Sequence, residues 1–214
     1  MTTRGSRTYL GKSTAEREAE RRARFLDAAL QVFADQGYAN SSVADVLRVA
    51  GFSRRQFYEE FQDREELLIA VYDRIHDQAH DTVLAATDKL TAVEPREAVA
   101  AVLAAHLGYM GADRRRAQLA FVEIVGVSRR VEDHRRATRH RWAAVVETML
   151  RALIGAGREP IGGYPLAIAA HIGAVNGLVH EWIAQPDPRP SVNTLVDVLV
   201  AMTAGLDPGE PHSA

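Results

Sequence analysis

The sequence predicts an all-α protein of about nine helices. Three observations carry this: apolar residues recur on a 3.6-residue period, no strand pattern of any length occurs, and successive segments open on residues suited to start a helix. With 214 residues, 47% apolar and 25% charged, the chain is long enough for one or two domains with buried cores. It contains no cysteine, which excludes a disulfide framework and thiolate chemistry.

Taken in order, residues 1–12 have no apolar period and read as a flexible basic arm, with Arg4, Arg7 and Lys12 placed to lie along phosphates. Ser13 and Glu16 have capping-box spacing, so a helix opens there; Phe25, Ala29, Val32 and Phe33 give it an apolar side, and Gly37 ends it. The stretch Ser41–Phe61 then reads as two short helices around a tight turn. Val43, Val46, Leu47 and Ala50 form one stripe, Gly51 suits a helix end, and Ser53 caps the second of the two helices. Phe57 and Phe61 share one face as core anchors, which leaves Arg54, Arg55, Gln56 and Tyr58 to point elsewhere. That arrangement is a helix-turn-helix, a DNA-reading unit.

The run from Phe25 to Tyr72 resembles the DNA-binding domain of TetR-type (tetracycline-repressor-like) transcriptional regulators. The matching features are AALQVFADQGY (28–38), SSVADVLRVAGFS (41–53), FYEEF (57–61) and DREELLIAVY (63–72). The resemblance implies three DNA-binding helices, the second near Ser42–Val49 and the recognition helix near Arg54–Glu60, with a fourth helix leading into a ligand-binding and dimerisation domain. It implies backbone contact by Tyr58. Arg64, where the family usually has Lys, would meet phosphate at the start of the fourth helix. Ser41 and Ser42 match the small hydroxyl residues that cap the second helix and can donate to phosphate, the capping Ser53 is counted with the DNA-binding candidates, and Arg54, Arg55 and Gln56 lie nearest base edges. Glu59 and Glu60 depart from a DNA-facing surface; they must face away from phosphate or weaken the contact.

Asp63 caps a long helix that could run to about Leu90. Pro95 opens a helix to about Gly111, Asp113 one ending near Gly126, and Ser128 one to about Ile154. A helix near Tyr164–Gln185, the link PDPRP and a last helix from Ser191 to Gly205 complete the chain. The expected organisation is therefore an arm (1–12), a helix-turn-helix domain (13–62), a helical ligand-binding and dimerisation domain (63–206) and a disordered tail (207–214). The family resemblance implies a homodimer through the last two helices. Small residues Ala169, Gly173 and Gly177 recur every four positions, and Val192, Leu195, Val196 and Leu199 form an apolar face, so these are the expected interface.

A small-molecule inducer is the second partner the resemblance implies, alongside a double-stranded DNA operator. Candidate pocket residues are His106, Tyr109 and Met110, then Phe121, Trp142 and Val146, then His171, Asn176 and His180, because aromatic walls with a few polar groups suit such a ligand. His76 and His80, with Asp73, Asp77 and Asp81 nearby, have a spacing that suits a metal, but are read as a solvated helix face. The Arg-rich stretches 114–116 and 129–141 are likewise read mainly as solvated faces with ion pairs four residues apart. No catalytic motif is recognisable, so no enzyme and no cofactor is expected. A helical metal- or small-molecule-binding protein without DNA function is the rival reading, and it has no need for an outward Arg54, Arg55, Gln56 and Tyr58. No uninterrupted apolar run has transmembrane length and the N-terminus lacks a signal-peptide core, so a cytoplasmic location is expected. Residues 1–64 carry 11 basic against 9 acidic groups and the remainder 15 against 19, a basic front on an acidic body.

Overall fold

The computed structural model describes residues 13–90 and 93–207; the basic arm and the tail from residue 208 lie outside them. The described residues form α1 (Thr14–Gln36), α2 (Val43–Ala50), α3 (Arg54–Glu60), α4 (Arg64–Thr87), α5 (Pro95–Ala112), α6 (Arg114–Gln118), α7 (Arg129–Ile154), α8 (Gly163–Ala184) and α9 (Val192–Ala204).

Local chemistry sets the starts of the first three helices. Ser13, Ser42 and Ser53 each accept the N–H three residues on, and Glu16, Asp45 and Gln56 each reach back to the capping backbone N–H. Each reciprocal pair satisfies two N–H groups that a helix terminus otherwise leaves without partners. Gly51 closes α2 at φ 71°, in the left-handed region, and its N–H donates to the Leu47 carbonyl. The three helices then share an aromatic cluster. Phe25 of α1 lies 4.9 Å from Phe52, 5.8 Å from Phe57 and 6.0 Å from Phe61 between ring centroids, in tilted and edge-on pairs.

Asp63 caps α4, which ends at Thr87 rather than continuing to Leu90. Its 24 residues span about 36 Å, long enough to touch α1 at one end and α5 and α7 along its length. The expected single helix from Asp113 to Gly126 is instead a short α6 and then a π-helical turn, Leu119–Glu123. The last helix packs against α5 and α8. Leu195, Val196 and Leu199 are 5%, 6% and 0% exposed within this one chain, and Val192 sits against Gly111. The apolar stripe expected to meet a second chain is therefore intrachain core. The outward side of α9 carries Val198 and Met202 instead.

Candidate nucleic-acid interface and body cavity

With Phe57 and Phe61 buried, Arg54, Arg55, Tyr58 and Glu59 are exposed, while Gln56 and Glu60 are half-buried. Tyr58 is 55% exposed. Arg55 is exposed and, among the described residues, is paired only with Glu59 of its own helix, at 3.1 Å. Arg54 is exposed too, and no described residue pairs with it. Gln56 behaves differently: its Oε1 accepts from the Ser53 N–H at 3.0 Å and from the Ser53 hydroxyl at 2.9 Å. Its side-chain carbonyl is committed to the helix cap, so the bidentate adenine contact by Gln56 requires giving up that cap.

Two further candidates are placed otherwise than expected. Ser41 is buried, and its hydroxyl donates to the Tyr38 carbonyl at 2.9 Å. Arg64 lies over the Tyr38 ring, 4.2 Å from its centroid, and donates to the carbonyls of Tyr38 and Ser41. It braces the turn before α2 instead of presenting its guanidinium outward. Ser42 and Ser53 stay on the exposed side as caps. Glu60 is answered by α1: Arg21 approaches it at 2.7 Å, and Arg22, at 3.8 Å, also stacks over Phe61. Glu59 faces Arg55 at 3.1 Å and Arg21 at 3.8 Å. The two carboxylates are thus turned toward guanidinium groups, as a phosphate-facing surface requires. A rigid short helix presenting cations and a phenol hydroxyl can contact phosphates and base edges.

This N-terminal unit is tied to the body at several points. The Tyr38 N–H donates to Glu123 of the π-helical turn at 2.8 Å, Ser128 donates to Glu65 at 3.0 Å, and Arg130 pairs with Asp63 at 3.0 Å.

Within the body a cavity of about 80 Å³ opens between α4, α5, the π-helical turn, α7 and α8. Six of the expected pocket residues line it: His106, Phe121, Trp142, Val146, His171 and Asn176. Tyr109, Met110 and His180 do not. Tyr109 donates its hydroxyl to Gln78 at 2.6 Å in a separate cleft beside the N-terminal unit. Met110 is buried core, and His180 sits 3.5 Å from the Phe121 carbonyl. The cavity adds Tyr72, His76, Arg135, Thr138 and Arg139, which sequence reasoning missed. His76 is only 7% exposed and belongs to no solvated face. Its position on the stripe Leu68, Tyr72, Ile75, Ala79 was the available signal. Among the described residues, no group of three or more His, Cys, Asp or Glu is arranged to share a metal ion.

Hydrogen bonds settle two of the cavity's imidazole tautomers. Trp142 donates Nε1–H to His76 Nδ1 at 3.0 Å, so the His76 proton is on Nε2, a buried donor with no partner among the described residues. The Thr203 hydroxyl donates to the Leu199 carbonyl at 2.7 Å, so the contact of 2.9 Å with His171 is a donation from His171 Nδ1. His171 Nε2 is thereby left as an acceptor. Burial pushes His76 down to about 3 and His106 and His171 to about 4, so all three are neutral at pH 7.

An exposed recognition helix, capped and braced on an aromatic core above a helical body, defines a helix-turn-helix transcriptional regulator. Residues 25–71 match the sequence model for bacterial regulatory proteins of the tetR family. The chain is 27% identical over 205 residues to HTH-type transcriptional regulator TtgR of Pseudomonas putida, covering 92% of this chain and 94% of that one. It is 35% identical over 86 residues to HTH-type transcriptional regulator BetI of Rhizobium meliloti (strain 1021), covering 40% and 41%. A TetR-like transcriptional regulator from Rhodococcus sp. RHA1 shares the fold with a TM-score of 0.69 at 21% identity, covering 86% of this chain and 94% of that one. The fatty acid degradation regulator FadR from Bacillus halodurans does so with a TM-score of 0.77 at 19% identity, covering 95% and 100%. Residues 25–71 are thus a tetR-type DNA-binding unit, and over 92% of its length the chain is similar to an HTH-type transcriptional regulator.

Proposed function

We propose that this regulator is a cytoplasmic homodimeric repressor, not an enzyme, and that a small molecule in the body cavity releases it from its operator. One observation carries the reading: a single helix, α4, begins at Asp63 and Arg64 beside the recognition unit and lines the cavity with Tyr72 and His76. A ligand that prefers another setting of α4 therefore acts on the position of α3, and shifts the population away from the DNA-binding arrangement. A structural neighbour at 18% identity, FadR from Bacillus subtilis, is solved in complex with stearoyl-CoA.

Dimerisation through α8 is supported by its outward side. Leu166 is 67% exposed, Ala169 is exposed, and a side chain added at Gly173 or Gly177 would meet nothing within 4 Å. By length and hydropathy α8 also suits a membrane span, but His171 is buried and bonded to Thr203, and the helix packs on α7 and α9. An apolar face left open in one chain fits a partner helix. Two recognition helices then meet half-sites about 34 Å apart.

The test is binding of the purified protein to DNA upstream of its own coding sequence across a salt series, with an Arg54→Ala/Tyr58→Phe double variant alongside. Tight, salt-dependent binding to one short palindrome, lost in the variant, is expected. Equal binding to random DNA would overturn the operator reading.

A further inference from the structure

We propose that the cavity is built for a compact apolar acid, an aromatic carboxylate or its like, with the ring against Trp142 and Phe121 and the anion held by Arg139 and the Nε–H of Arg135. This rests on the reading of the cavity as the ligand site and names the ligand's class.

Two of the polar atoms left over in the wall are donors that need an acceptor, beside His106 Nδ1 and the acceptor His171 Nε2. His76 Nε2–H and Arg135 Nε–H are buried and have no partner among the described residues. An unmade hydrogen bond at such an atom is costly, so each calls for an acceptor. The wall contains no carboxylate to supply one. Nearby carboxylates are already taken: Glu132 accepts from Arg135 Nη1 at 2.8 Å, and Asp73 accepts from His134 at 2.6 Å with Arg141 at 3.6 Å. Arg139 lines the cavity and has no carboxylate partner among the described residues.

Both arginines line the same cavity as Tyr72 and His76. The three histidines are neutral, which leaves Arg139 as the cation whose charge the wall does not offset. The opposite requirement holds for the remainder of the ligand. Trp142, Phe121, Val146 and Ile172 offer apolar surface, and the acceptor His171 Nε2 suits a hydroxyl or N–H on the ring. A neutral ligand gives Arg139 no counter-charge inside the cavity, and a cation is repelled.

The experiment uses the full-length protein with three probes of one ring size: benzoate, benzamide and benzylamine. Binding is read by calorimetry and tryptophan fluorescence, and DNA release is measured separately. Benzoate is expected to bind about 10-fold or more tighter than benzamide, as charge-assisted hydrogen bonds do over neutral ones, and benzylamine not at all. Arg139→Gln should abolish the preference while operator affinity and Tm are retained, and Arg139→Lys should restore most of it. Benzamide binding as tightly as benzoate would overturn the acid while leaving the ligand cavity standing. Failure of all three to bind would overturn it too; a screen of neutral apolar compounds for DNA release then decides whether the ligand reading falls as well.

Discussion

At the scale of single residues, what decides function on α3 is which side chains are already committed. Tyr58 is exposed, and in the proposed backbone contact its hydroxyl would serve every sequence alike. Tyr58→Phe should weaken binding to all sequences similarly, by roughly 3–10-fold for one lost hydrogen bond. Arg54→Ala should instead change which base is preferred at one position, because bidentate base contacts carry discrimination. Competition binding against a randomised half-site separates the two; a Tyr58→Phe protein relaxed at one base pair would reverse the roles. Gln56→Ala mainly removes a cap, expected to cost about 1 kcal/mol of stability. The buried histidines give a second residue-scale expectation. Their folded values, about 3 for His76 and about 4 for His106 and His171, lie below the ordinary 6.5. Between those values the unfolded chain takes up protons that the folded chain refuses. Stability is therefore full above pH 6.5 and falls as pH drops toward 4, by on the order of 1–2 kcal/mol per histidine at pH 5. Thermal melts at pH 7 and pH 5 should show this loss, with a shallower slope for His76→Gln.

Between elements, close approach matters more than propensity. From the sequence Gly111 and Ala112 close a helix, and α5 does stop at Ala112, but packing also requires the glycine. Its reason is the neighbour: a Cβ at Gly111 would lie 2.7 Å from Val192 Cγ2 of the stretch opening α9. Gly111→Ala should push α9 off α5 and cost about 1–3 kcal/mol, lowering Tm by several degrees. Gly108, three residues earlier in the same helix, has nothing within 4 Å of its added Cβ. There the same change should raise Tm, since alanine is the better helix former by up to about 1 kcal/mol. Equal shifts at both positions would show that α9 does not pack as described.

For the whole molecule, the proposed coupling needs two copies held by α8. Gly177→Glu sets a charge on the outward side of α8, where an added Cβ meets nothing within 4 Å among the described residues. The expected result is a monomer by sedimentation velocity, unchanged helicity by circular dichroism, and operator affinity reduced at least ~100-fold through loss of the second half-site. A variant that remains dimeric would move the interface elsewhere, with Val198 and Met202 of α9 the next surface to change.

The order of residues alone specifies the features that chain-local chemistry controls. Ser13, Ser42 and Ser53 with their reciprocal partners, Gly51 at its turn, and the Phe57/Phe61 spacing were legible because capping and helical periodicity act over three or four residues. From them came the helix-turn-helix, the span of α3 and most of the helix count. What each side chain faces was settled only by packing between distant segments. Arg64 meets Tyr38 because α4 starts beneath the turn before α2. His76 is buried because α7 brings Trp142 over it. The apolar stripe of α9 is spent on α5, which leaves α8 with the open face. The cavity shows the limit most clearly: six of its residues could be guessed as aromatic or polar in an apolar region. Arg135 and Arg139 could not, because an arginine on a basic helix reads as solvated until a neighbouring helix takes away the solvent.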